Sequence, residues 1–96
     1  MSFAEAYEEL KNPKNVKFKD LMRIATIFFG EPRNKWSSHF VFKMPWQGNP
    51  RINLQADGKD AKAYQVRQVV DALKRLEATL NLNSGEKKDE AARTRK

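Results

Sequence analysis

At 96 residues, with 19 Lys and Arg against 12 Asp and Glu for a formal net charge of +7, the chain has room for one modest core and no more. It has no cysteine and a single histidine, which excludes a disulfide scaffold and leaves a transition-metal site nearly without ligands. The longest apolar run, Ile24 to Phe29, contains Thr26 and is far too short to cross a bilayer. The acidic opening MSFAEAYEEL lacks the basic and apolar regions of a signal peptide, so the expectation is a soluble, cytoplasmic protein.

Residues 2 to 11 have helical spacing. Phe3, Ala6, Tyr7 and Leu10 share one face, Ser2 is placed to cap, and Glu5 follows three positions later, the arrangement of a capping box. Asn12-Pro13 breaks the pattern. A second helix is expected over Phe18 to Phe29, where Phe18, Leu21, Met22, Ala25, Phe28 and Phe29 recur at the 3.6-residue period before Gly30 and Pro32 stop it.

The period then changes to two. In Ser38 to Met44, one face takes Ser38, Phe40, Phe42 and Met44, and the other takes His39, Val41 and Lys43. Gln47-Gly48-Asn49-Pro50 has loop chemistry, and Arg51 to Gln55 alternates again, with Ile52 and Leu54 inward. A short strand is also expected around Pro32 to Lys35. After an Asp57-Gly58 turn, Asp60 or a neighbour should open a long helix whose apolar stripe is Val66, Val69, Val70, Leu73, Leu76 and Leu80. Lys62, Arg67, Lys74 and Arg75 line its polar side. The expected organisation is a helical extension over 1–16, a compact domain over 17–83 and a charged, disordered tail over 84–96.

Two helices, two or three antiparallel strands and a last helix pack most simply as an α+β two-layer sandwich with the helices on one sheet face. Alternation then sends His39, Lys43, Arg51, Asn53 and Gln55 to the solvent face. The basic excess lies mostly in the folded middle and suits a polyanion, nucleic acid first among them, although charge alone also serves solubility. No Gly-rich phosphate loop, HExxH or GxSxG occurs.

A histidine among lysines and arginines on an exposed sheet suits RNA cleavage. Imidazole can take the 2′-hydroxyl proton near neutrality, and the cations can offset charge growing on the phosphoryl oxygens. The alternative for His39 is a solvated sheet residue or a hydrogen-bonded neighbour of Trp36. Lys35, Lys43 and Arg51 are either phosphate contacts or an ordinary solvated face. Trp36 and Trp46 are either base-stacking platforms or the core's edge.

Residues 17–76 resemble the HicA family of bacterial toxins. Lys17-Phe18-Lys19-Asp20-Leu21 is similar to that family's helix opening, and Ser38-His39 with Phe42, followed by Lys43-Met44-Pro45, is similar to its histidine strand. Asp57-Gly58-Lys59 leading into Val66-Arg67-Gln68-Val69-Val70 resembles the remainder. The resemblance implies a double-stranded-RNA-binding-domain-like α-β-β-β-α fold acting as a metal-independent, cofactor-free endoribonuclease on mRNA. It further implies a cognate HicB-type antitoxin as partner, and His39 as the catalytic residue. Lys35, Trp36, Ser38, Lys43 and Arg51 then form the RNA-binding set. Ser37 stands where the family has Gly, and no second histidine occurs in Gln55 to Lys59, so the other proton would fall to water or Lys43. A non-catalytic RNA-binding module and a protein-interaction domain are the alternatives.

Overall fold

In the computed structural model of the chain, the described residues are 1–33, 39–48 and 50–84. The expected tail over 84–96 falls almost wholly outside them. The architecture is α+β: three helices and a three-stranded antiparallel sheet.

Helix α1 spans Phe3–Glu9 and opens as its sequence dictates. The Glu5 N–H donates to Ser2 Oγ at 3.1 Å, and the Ser2 N–H donates to Glu5 Oε1 at 2.7 Å, so two orphan donors are satisfied reciprocally. A 3-10 turn over Pro13–Asn15 carries the chain to α2, Phe18–Phe29. Helix α2 ends at Gly30, whose φ of 88° lies in the region that glycine enters without steric cost.

Strand β1, His39–Lys43, pairs antiparallel with β2, Arg51–Asp57, in the register His39 opposite Gln55 and Lys43 opposite Arg51. Gly58, at φ 63°, turns the chain into β3, Asp60–Ala61, which pairs Ala61 with Ala56 and Asp60 with Asp57. Asp60 or a neighbour is expected to open the last helix; Asp60 itself lies in a strand, because beside its pairing with β2 the Ala61 N–H donates to the Val16 carbonyl at 2.9 Å and Lys17 forms a bridge to Asp60. That long-range clamp outweighs local helix propensity. Helix α3 therefore begins at Ala63 and runs to Ser84. The strand expected over Pro32 to Lys35 is present as one bridge, Arg33 to Val41, closed by N–H to carbonyl bonds of 2.9 and 3.0 Å; Asn34 and Lys35 lie outside the described residues.

Both long helices cover one sheet face. Phe42, Met44 and Leu54 from the strands join Leu21, Ile24 and Ala25 of α2 and Val66, Val69 and Leu73 of α3 in a single buried cluster. The N-terminal segment belongs to the same cluster through Ala6, Leu10 and Val16. Phe28 and Phe29, read as core from the period, are half-buried and pack against it. Leu80, placed on the apolar stripe of the last helix, is 48% exposed, because α3 continues past the elements that cover its earlier turns and residues 78–81 are exposed. Among the described residues no helix is long and apolar enough to cross a membrane.

A second tie holds α1 to α3. The Tyr7 hydroxyl donates to Glu77 Oε1 at 2.7 Å, and burial, with the carboxylate beside it, pushes the phenol from its ordinary value near 10 up to about 12. The protonated phenol is the docked form, so its contribution is complete below the unfolded value and is lost as pH climbs through the folded one. Tyr7→Phe should cost about 1 kcal/mol at neutral pH. Urea titrations of both proteins should show that wild-type advantage intact below pH 10 and gone above about pH 12; an advantage that persists there would refute the tie.

Candidate nucleic-acid interface

The register of the hairpin determines which side chains share the face turned away from the helices. Directly paired residues project to the same side. His39 with Gln55, Val41 with Asn53 and Lys43 with Arg51 therefore form three rows on the outer face. His39, Lys43, Arg51 and Asn53 are exposed, while Val41 and Gln55 are half-buried. The expectation from alternation is met on both faces, since Phe42 and Leu54 between them are buried.

Arg33 adds a cation that the sequence reading did not single out. Its bridge to Val41 places it in the middle row, beyond β1 and opposite Asn53's side of the hairpin, and it is exposed. Nothing in its neighbourhood, Glu31-Pro32-Arg33-Asn34, has the alternation of a strand. The one signal is the short strand expected from Pro32, which, set against β1 in an antiparallel sense, brings Arg33 onto this face. Of the other residues singled out, Lys35, Trp36, Ser37 and Ser38 lie outside the described residues.

The electrostatics of the face are one-sided. Lys43 stands directly across from Arg51, and like charges in directly paired positions destabilise a sheet. The ion pairs among the described residues are Lys11–Glu8, Lys17–Asp60, Arg23–Glu9 and Arg23–Asp20; none draws on Arg33, Lys43 or Arg51. Two carboxylates share the face's parity at its far end: Asp57 of β2, three alternate positions from Arg51, and Asp60 of β3, which pairs directly with it and bonds to Lys17. The cations therefore gather at the Lys43 end and along the Arg33 side, with His39 between them and Asp57.

The rows are held from behind. Gln65 of α3 is 3% exposed; its Oε1 accepts from the Gln55 N–H at 3.0 Å, and its Nε2 donates to the Tyr64 hydroxyl at 3.2 Å. A buried amide with both ends satisfied costs little and fixes geometry. Here it pins the residue that pairs with His39 to the helix layer.

Trp46, weighed between stacking platform and core edge, packs at the edge. It is half-buried, meets Phe29 edge-on at 87° with centroids 6.4 Å apart, and carries the Arg75 guanidinium 4.7 Å from its ring centroid. A cation over the ring competes with any base for that face. Among the described residues no three His, Cys, Asp or Glu side chains cluster as a metal site would require.

Chemically, the face offers one imidazole and three guanidinium or ammonium groups along about 13 Å of strand, at about 3.3 Å per residue. Such a surface can attract a phosphodiester backbone and present an imidazole beside it. Compared with family models, characterised proteins and solved structures, the chain matches none.

The cross-strand like-charge pair makes an opposed pair of effects measurable. Lys43→Glu should raise stability by about 0.2–1 kcal/mol by turning repulsion across from Arg51 into attraction, while weakening RNA binding. Urea denaturation and fluorescence anisotropy on the same preparations test both; a destabilised variant would show that Lys43 and Arg51 do not repel.

Proposed function

We propose that the chain is a ribonuclease of the HicA toxin type, acting on mRNA at the outer face of the β1–β2 hairpin. The observation that carries this reading is the gathering of His39, Arg33, Lys43 and Arg51 on one exposed sheet face whose opposite side is the core. The order α2-β1-β2-β3-α3, with both helices on the inner face, supports a double-stranded-RNA-binding-domain-like arrangement for that segment. A HicB-type antitoxin would silence such an enzyme by covering the basic face, and the same cations that attract RNA would attract an acidic partner.

In this reading the phosphodiester lies along the strand direction. Arg33, Lys43 and Arg51 hold its non-bridging oxygens and offset the charge that grows on them as the phosphorus becomes five-coordinate. The His39 imidazole takes the proton of the 2′-hydroxyl as its oxygen forms the new P–O bond. The 5′-oxygen leaves with a proton from water or from the Lys43 ammonium. The products are a 2′,3′-cyclic phosphate and a free 5′-hydroxyl.

Incubating the purified chain with RNA in excess chelator, beside His39→Ala, tests the proposal. Chelator-resistant cleavage should fall by about 10²–10⁴-fold in the variant, the range for losing a general base, with circular dichroism showing that the variant is folded. Equal cleavage by a folded His39→Ala protein would remove the catalytic role. RNA left intact by the wild type, yet bound with a steep salt dependence, would make the chain a non-catalytic RNA-binding module.

A further inference from the structure

A second basic feature lies past the His39 end of the hairpin. The turn at Gly58-Lys59 follows β2 directly, and the Phe18 N–H at the start of α2 donates to the Lys59 carbonyl at 3.0 Å. This contact fixes the turn against the helix and leaves a cleft of about 440 Å³ lined by Lys17, Phe18, Lys19, Gly58 and Lys59. The Phe18 ring, half-buried, rests against Phe40 with centroids 5.9 Å apart, on the helix side of the strand that carries His39 on its outer side. The cleft has an apolar floor and an ammonium rim.

The rim is not neutralised from within. Lys17 donates to Asp60 at 3.1 Å, with both side chains more than half exposed, a pair that contributes little. Lys19 and Lys59 are exposed and take part in none of the ion pairs among the described residues. A flat aromatic edge with two uncommitted lysines fits the two parts of a nucleotide, an apolar base and an anionic phosphate. Its position adds the decisive element. Lys43 and Arg51 lie at one end of the hairpin, His39 pairs with Gln55 near the other, and β2 leaves that end through Asp57 into the Gly58-Lys59 turn that lines the cleft.

The geometry points to the cleft as a second RNA subsite, so that the strand is held on both sides of His39, by Arg51 and Lys43 on one and by Lys19 and Lys59 on the other. This extends the RNA-binding reading of the sheet face and makes the ligand an extended single strand. Asp57 of the central strand β2 and its partner Asp60 in β3 stand between His39 and the cleft, so the phosphates pass to one side of this acidic pair, whose Asp60 is bonded to Lys17.

Fluorescence anisotropy with labelled oligouridylates of about 4 and about 12 nucleotides, within the range of site sizes for small single-strand binders, tests the subsite. The catalytically silent background His39→Ala keeps the RNA intact during measurement. The wild-type surface should bind the longer oligonucleotide more tightly. In Lys19→Glu/Lys59→Glu that advantage should fall about tenfold, and the salt slope should drop by about 1.4, at about 0.7 per single-strand phosphate contact. Lys19→Gln/Lys59→Gln should show the same slope change in a milder form, and thermal melts establish that both variants fold. Unchanged affinity and slope for the longer oligonucleotide in a folded variant would overturn the subsite, as would equal affinity for the two lengths without any substitution. Because the readout is binding, loss of the length advantage supports the subsite even if the unsubstituted chain leaves RNA uncut, a result that would sink the nuclease reading alone.

Discussion

Burial of Phe42 and Leu54 against α2 and α3 constrains everything on the other side of the sheet. In a strand each buried side chain dictates that its neighbours face away. With Phe42 set opposite Ile52 and Phe40 opposite Leu54, His39, Lys43 and Arg51 have nowhere to go but outward. Sliding β1 by one residue would drive His39 and Lys43 into an apolar layer and expose two phenylalanines. The hydrophobic core thus does for the basic face what no local interaction on that face could do, since the cations themselves repel. The Gln65 bond to the Gln55 backbone adds a polar lock to the same register.

Much of this was legible in the residues. The Ser2–Glu5 capping box, the bounds of α2 and the two faces of the hairpin follow from patterns that need only a few consecutive positions. What escaped were features made by distant partners. Asp60-Ala61 becomes a strand by pairing with Asp57 and Ala56 across the turn and with Val16 and Lys17 from more than forty positions away, and a two-residue strand has no period to detect. Arg33 enters the candidate site through one bridge to Val41, and its own neighbourhood gives no strand signal. Leu80 keeps the helical spacing of its stripe, yet spacing does not reveal where the covering elements stop.

The residues that matter for the proposed chemistry divide in the same way. The histidine strand, with its lysine and its partner arginine, could be placed from alternation alone. The cleft beside it could not, because Lys17, Lys19 and Lys59 meet only when the turn after β2 docks on the start of α2 through the Phe18 N–H. Trp46 shows the reverse case. Its sequence position left two roles open, and the Arg75 guanidinium over its ring assigns it to the edge of the core.

The unopposed pair of Lys43 and Arg51 has a consequence for how dissolved ions act on the molecule. Counter-ions gather where like charges crowd, so added salt relieves repulsion within the sheet and favours the folded chain. The same ions compete with a polyanion for the same groups and loosen its hold. Ionic strength therefore pulls on the free and the occupied molecule in opposite directions. A bound polyanion takes over the work of the salt, acting as a counter-ion built to the spacing of the strand.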